Sequence, residues 1–199
     1  MKTTLEPEII LSKRDRKLAE IMPSLPKFPS GRDSAHYFDS LVRTIISQQL
    51  SNGAADSIIR KFAKFSPRPF QPELILKLDA EIFKGSGISK SKSTYINNLA
   101  TLVVSGKINL KKLENLSDDI AINELTKIRG IGQWTAQIFL IFSLGRANVW
   151  PVGDAGLRRA IAKIYNTTLT TEAEFEEFAN KWSPYRSVAA WYLWQFIDK

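Results

Sequence analysis

The chain has 199 residues, enough for one domain or for two small helical lobes sharing a core. Its 44% apolar content excludes disorder, and a net charge of +8 at pH 7 favours a polyanionic partner, with a merely basic, solvated surface as the plainer alternative. There is no cysteine and one histidine, His36, which excludes disulfides, thiolate chemistry and zinc or iron–sulfur centres, so no metal site is expected.

No apolar run approaches the roughly 18 residues that a membrane span requires, and the start MKTTLEPEII lacks the uninterrupted apolar core of a signal peptide. The expectation is an intracellular protein without membrane contact, in the cytoplasm or nucleoid of a prokaryote or the nucleus of a eukaryote.

Residues 7 to 21 set Ile9, Ile10, Leu18 and Ile21 among charges, which predicts a modest amphipathic helix ending before Pro23. A proline-rich connection follows over 23 to 31. Asp33 is an N-cap for a helix through about Ser47, with Phe38, Leu41, Val42, Ile45 and Ile46 on one face. A second helix restarts at Ser51-Asn52-Gly53 and carries Ile58, Ile59, Phe62 and Phe65. Between them lies the polar joint Ser47-Gln48-Gln49-Leu50-Ser51, as structure a helix break with capping hydroxyls. His36 reads as an ordinary surface or partly buried residue.

Prolines 67, 69 and 72 mark another connection, followed by short helices over 72 to 77 and 79 to 84 and a break at Gly85-Ser86-Gly87. Ser89 caps a helix with Ile96, Leu99, Leu102 and Val103 inward. Its opening run, Lys90-Ser91-Lys92-Ser93, is either a phosphate contact or a solvated basic turn, and it matches no GxxxxGK[ST] loop. Ser117 caps a helix with Ile120, Leu125 and Ile128 inward. The run Ile138 to Leu144 is apolar almost all round, the mark of a central buried helix. Helices then follow Asp154, over 172 to 182 and over 184 to 197. Strand-like alternation is scarce, so the fold class is all-α.

Between the helices capped at Ser117 and opened by Gln133 lies Ile128-Arg129-Gly130-Ile131-Gly132. The two glycines flank one isoleucine, so the chain turns through angles denied to other residues and leaves its amides unshielded. The following helix starts with N–H groups that lack internal partners, at the positive end of its dipole, and this suits a phosphate oxygen. Lys127 and Arg129 stand beside the turn. On its own a GxG is weak evidence, since helix–helix turns use glycine for steric reasons.

Further motifs stand in order around it. LxxIRGIGxWTA is followed by VWPVGDxxLRRA, with Asp154 twenty positions after Trp134. IISQQLSNGAADSIIRKF at 45 to 62, GISKSKSTYINNLA at 87 to 100 and KWSPYRSVAAWYLW at 181 to 194 complete the set. Over residues 35 to 197 the chain resembles the helix-hairpin-helix DNA glycosylases, and among them the alkylpurine (3-methyladenine) DNA glycosylase II family. The resemblance implies an all-α fold of two helical lobes with a central cleft, placed at roughly 35–110 and at 111–197 plus the N-terminal segment, with the helix-hairpin-helix at about 117–144. It implies a monomer acting on double-stranded DNA that contains alkylated bases, without a cofactor, and with at most a non-catalytic monovalent cation on the hairpin backbone.

By the same resemblance, Asp154 is the catalytic carboxylate, Trp134, Trp194 and Ile138 form the base pocket, and Lys127, Arg129, Gly130, Gly132 and Thr135 bind the DNA backbone. Gln49 is the match for the residue that enters the duplex where the damaged nucleotide leaves. As structure alone, Asp154 caps the helix from Ala155, and the tryptophans fill a core; Trp150, Trp182 and Trp191 are left as core or undecided. Arg43 and Arg186 read as salt-bridge partners before pocket or DNA contacts.

Breaking an N-glycosidic bond builds positive charge on the sugar, which one nearby carboxylate stabilises. A purine alkylated at N3 or N7 is already cationic and leaves without a general acid, so a site with no evident acid beside Asp154 suits such bases. Electron-rich aromatic faces bind a cationic ring, at about 0.5 to 2 kcal/mol per contact. Where strand-nicking relatives carry a Schiff-base lysine, this chain has Trp134, so no lyase step is expected. The alternatives are excision of another modified base, or a non-catalytic DNA-binding module.

Overall fold

The computed structural model describes residues 6–29 and 34–197; the expected cap Asp33 lies outside them. Among the described residues the chain is helical and has no strand. It divides into two compact units, one made of the described part of Met1–Ser30 with Gly145–Lys199, the other of Gly31–Leu144. The division thus falls at residue 144/145 and not near 110, where the sequence placed it. The reason lies in α9 (Gln133–Phe142), which packs with α3 (Tyr37–Ser47) and carries α8 (Asp118–Thr126) with it.

In the first unit, the helix expected over 7 to 21 is two helices, α1 (Pro7–Arg14) and α2 (Arg16–Ile21). Asp15 is extended between them and caps α2 by accepting from the Leu18 N–H at 3.1 Å. Its buried carboxylate also accepts from Tyr165 Oη (2.8 Å), Trp182 Nε1 (2.9 Å) and Lys181 Nζ (3.0 Å). Burial works against the charge, but these donors hold Asp15 below the usual carboxylate range. Helices this short do not stand alone. They are held by this network and by Leu11 and Leu18, fully buried and worth roughly 1.5–3 kcal/mol each.

The same unit holds α10 (Ala155–Tyr165), α11 (Glu172–Asn180) and α12 (Arg186–Ile197). Trp150, Phe175 and Trp182 interlock at its centre, with ring centroids 4.9 and 5.5 Å from Trp150. Two of the undecided tryptophans, Trp150 and Trp182, are therefore core. Trp191 is half-buried and donates to the Pro26 carbonyl.

In the second unit, α3 (Tyr37–Ser47) buries Leu41, Val42 and Ile45 completely, as its spacing predicts. It is followed by α4 (Asn52–Phe62), α5 (Pro72–Ile75), α6 (Ala80–Ser86) and α7 (Lys90–Val104). Two apolar assignments fail here. α4 stops at Phe62, so Phe65 lies beyond it and is exposed, and Ile120 of α8 faces solvent. The break expected over Gly85-Ser86-Gly87 is confined to Gly87, in the left-handed region.

The proline connection is fixed by charge as well as by ring geometry. Asp39 of α3, buried, accepts from both ends of the Arg68 guanidinium (3.0 and 3.2 Å) and from the Phe70 N–H (3.0 Å). Arg43 stands 4.0 Å away. Burial opposes ionisation, yet Arg68, the Phe70 amide and Arg43 keep Asp39 below its ordinary value. α9 is buried along most of its length, with Ala136, Phe139, Leu140 and Ile141 inaccessible, as its all-round apolarity predicts.

Candidate functional site

The residues singled out in the sequence fall into two groups, one in each unit. In the first unit, the turn Pro151–Asp154 closes through a 3.0 Å bond from the Asp154 N–H to the Pro151 carbonyl, and Asp154 then opens α10. Its Oδ1 accepts from the Leu157 N–H at 2.8 Å and from Trp194 Nε1 of α12 at 3.1 Å. The carboxylate is 7% exposed. Capping and aiming are thus one geometry: the cap fixes the carboxylate against the helix start, and the indole fixes its direction.

Gly156 belongs to the same arrangement, though nothing in its sequence context singles it out. A Cβ there would sit 3.1 Å from Asp154 Oδ1 and 3.6 Å from Trp194 Cδ1. The nearby cations are committed elsewhere. Arg158 donates to the Val152, Leu169 and Thr171 carbonyls and lies over Phe175, and Arg186 pairs with Glu176 at 2.9 Å and bonds Asn148. The reading of Arg186 as a salt-bridge residue agrees with this placement, and the same holds for Arg43 beside Asp39.

In the second unit, the hairpin between α8 and α9 is tied by Ile128 N to Leu125 O and by Ile131 N to Ile128 O, both 3.0 Å. Its two glycines do different things. Gly130 has φ +93°, and a Cβ would lie 2.3 Å from the Tyr95 ring, so both backbone angle and close packing demand glycine. Gly132 has φ −88° and nothing within 4 Å of a built Cβ. Among the described residues no contact requires glycine at this position.

Around this hairpin the structure gathers Trp134, 39% exposed in the first turn of α9, the buried Thr135, and the joint between α3 and α4. With Ser89, Ser91, Lys92 and Tyr95 they line a concavity of about 590 Å³. Ile138, half-buried, follows Trp134 by one helical turn. Lys127 and Arg129 are exposed at the hairpin, the first paired with Glu124 and the second 6.0 Å from the Tyr95 ring centroid.

At the joint, Ser51 caps α4 as expected, whereas Ser47 lies inside α3 and bonds the Arg43 carbonyl. Gln49 is exposed and has φ +59°, an uncommon conformation for a non-glycine residue. Gln48, which the sequence reading passed over, donates from Nε2 to the Gly130 carbonyl (2.9 Å) and to Thr135 Oγ1 (3.2 Å). Lys92, read as a phosphate contact or a solvated charge, is half-buried and not simply solvated: its ammonium donates to the Ile46 and Gln48 carbonyls. No sequence signal separates such a lysine from its neighbour Lys90.

Among the described residues, no three His, Asp or Glu side chains converge on a metal site, and no helix is long and apolar enough to cross a membrane.

An all-helical chain with an amide-exposing glycine hairpin between two helices defines a class, the helix-hairpin-helix proteins that hold nucleic-acid backbone. Within it, this chain belongs to the family described as HhH-GPD superfamily base excision DNA repair protein, which matches residues 42–184. It is 32% identical over 194 residues to a DNA-3-methyladenine glycosylase 1 of Schizosaccharomyces pombe, covering 94% of this chain and 85% of that protein. The structure of a 3-methyladenine DNA glycosylase from the same yeast, in complex with abasic DNA, superposes with a TM-score of 0.86 at 30% identity, over 98% of this chain and 97% of the other. A DNA-3-methyladenine glycosidase from Bacillus halodurans gives 0.77 at 34% identity, over 98% and 90%.

Proposed function

We propose that this chain is a base-excision DNA glycosylase that hydrolyses the N-glycosidic bond of alkylated purines, 3-methyladenine and 7-methylguanine, in double-stranded DNA. The observation that carries the reading is Asp154, a buried carboxylate held in one direction by the Leu157 amide and the Trp194 indole. The names of its relatives, at about a third identity over nearly the whole chain, support the substrate class.

In the reaction, the bond between C1′ and the purine N9 breaks, and its electron pair leaves with the base. An N3- or N7-alkylated purine carries a positive charge before cleavage and departs neutral, so the enzyme need not protonate it. The charge appears on the sugar, where a fixed carboxylate stabilises it without reorganising. Water adds to C1′ and loses a proton, leaving an abasic site. Asp154 is the carboxylate in this scheme, and Trp194 beside it offers an electron-rich face to a cationic base.

Phosphates bind at the amides of the hairpin and the first turn of α9, next to Gly130, Gly132 and Thr135, with Lys127 and Arg129 adding charge. Gln49 enters the vacated stack, and Trp134 and Ile138 stand on the α9 face that receives the base. The Gly130 carbonyl already accepts from Gln48. A monovalent cation at the hairpin would be held by its backbone carbonyls and would have no part in bond cleavage. The protein acts as a monomer and, with tryptophan at 134, leaves the strand uncut.

The test is release of 3-methyladenine and 7-methylguanine from methylated duplex DNA by wild type and by Asp154→Asn. Asparagine caps a helix as well as aspartate does, so the variant keeps the fold and loses only the charge. Release by wild type and none by a folded, DNA-binding Asp154→Asn is expected. A folded wild type that binds DNA and releases neither base would move the assignment to another lesion or to a binding module.

A further inference from the structure

The joint between α3 and α4 has to satisfy two demands that conflict. It must leave Gln49 and Leu50 exposed, and it must satisfy the last carbonyls of α3, which have no partner within the helix. Gln49 moreover sits in the left-handed region, which costs a non-glycine residue about 1–2 kcal/mol. Something must hold it there.

Two side chains meet these demands from opposite sides. From α7, the Lys92 ammonium donates to the Ile46 carbonyl at 2.7 Å and to the Gln48 carbonyl at 2.8 Å, bridging the last turn of α3 and the residue just before Gln49. From the joint itself, the Gln48 side chain donates to the Gly130 carbonyl and to Thr135 Oγ1, tying the turn to the hairpin. A cation at a helix C-terminus complements the carbonyl end of the dipole. Burial pulls Lys92 below the ordinary lysine range, the cost of placing an ammonium where these carbonyls need one.

We propose that Lys92 is a positioning residue, the clamp that holds the Ile46 and Gln48 carbonyls so that Gln49 is presented, already ordered, to the gap a displaced nucleotide leaves. The assignment rests on the reading of Gln49 as the residue that enters DNA. Because Gln48 fastens the same turn to the hairpin, phosphate gripping and stack filling are done by one connected piece of the second unit. Without Lys92 the turn loses its left-handed geometry and must be ordered anew at each binding event, while the hairpin still holds phosphate.

The experiment uses duplex DNA with a tetrahydrofuran abasic analogue beside 2-aminopurine, whose fluorescence reports filling of the gap, and compares wild type with Lys92→Met, Lys92→Arg and Gln49→Ala. At saturating protein, wild type and Lys92→Arg change the fluorescence, and Lys92→Met behaves like Gln49→Ala. The ratio of affinities for abasic-analogue and undamaged duplex falls in Lys92→Met by on the order of tenfold to a hundredfold, the range of a lost charged hydrogen bond. Because the ratio is taken within one preparation, a partly unfolded variant does not distort it. A Lys92→Met protein with wild-type fluorescence and ratio overturns the assignment, as does a wild type whose binding leaves the fluorescence unchanged. If wild type releases no methylated base while the fluorescence follows Lys92, the proposed substrate falls and the clamp stands.

Discussion

Replacing Gly156 by alanine sets two effects of one methyl group against each other. Gly156 lies in the first turn of α10, where alanine improves on glycine by about 0.5–1 kcal/mol. The same methyl would stand 3.1 Å from Asp154 Oδ1 and 3.6 Å from Trp194 Cδ1, the first several tenths of an ångström inside ordinary contact. The carboxylate must swing away, lengthening its 2.8 Å bond from Leu157 and its 3.1 Å bond from Trp194. Weakening such bonds costs roughly 0.5–1.5 kcal/mol, so the net change in stability stays within about 1 kcal/mol of zero. Chemistry has no such compensation. A displacement near 1 Å can cost about a hundredfold in rate, so a few tenths should cost roughly tenfold. Urea denaturation reads the first quantity and single-turnover release of 7-methylguanine the second. A Gly156→Ala protein of unchanged stability that keeps its rate within about twofold would refute the claim that the Trp194-fixed direction of Asp154 matters to the reaction.

The hairpin glycines separate fold from function in the opposite sense. Gly130→Ala meets left-handed strain of about 1–2 kcal/mol and overpacking against Tyr95 of about 1–3 kcal/mol, so thermal or chemical denaturation should show a loss of roughly 2–5 kcal/mol. Gly132→Ala, in open space at an ordinary φ, should leave stability unchanged within about 0.5 kcal/mol while weakening duplex binding in a fluorescence-anisotropy titration; unchanged binding would remove the first turn of α9 as a phosphate site. Asp15 and Asp39 both titrate below the unfolded aspartate value of ~3.9. Their contribution is therefore complete above that pH and is lost as pH falls through the lowered folded values, so stability measured in urea should drop on acidification below about pH 4. Asp39→Asn should be less stable at neutral pH and show a shallower acid dependence; an unchanged slope would mean that the Arg68 pair contributes nothing.

Most of the helices were legible because they rest on local chemistry. Ser51, Ser89, Ser117 and Asp154 cap as their position before an apolar-periodic run predicts, and each accepts from a backbone N–H of its own first turn. Errors gathered where a long-range contact overrides the pattern. Asp15 interrupts a helical period because residues some 150 and 167 positions away donate to it. Ile120 and Phe65 fit an inward face by spacing, but among the described residues both stay exposed.

The candidate site divides in the same way. Residue type and order marked the glycine hairpin, the cap at Asp154 and the polar joint at Gln49, since a carboxylate before a helix, a glycine turn and a helix break are properties of the local chain, whereas their assignment to catalysis and DNA contact came from the family resemblance. That Trp194 donates to Asp154 across 40 positions, that Gln48 reaches the hairpin across 82, and that Lys92 and not Lys90 turns inward were decided only by packing. A hydrogen bond between distant residues leaves no periodic trace in sequence, because it depends on where two helices lie and on nothing in the spacing of either. The sequence by itself determined most of the helices and their caps; the tertiary structure decided which distant side chains hold Asp154, the hairpin and the joint, because that depends on how the helices pack.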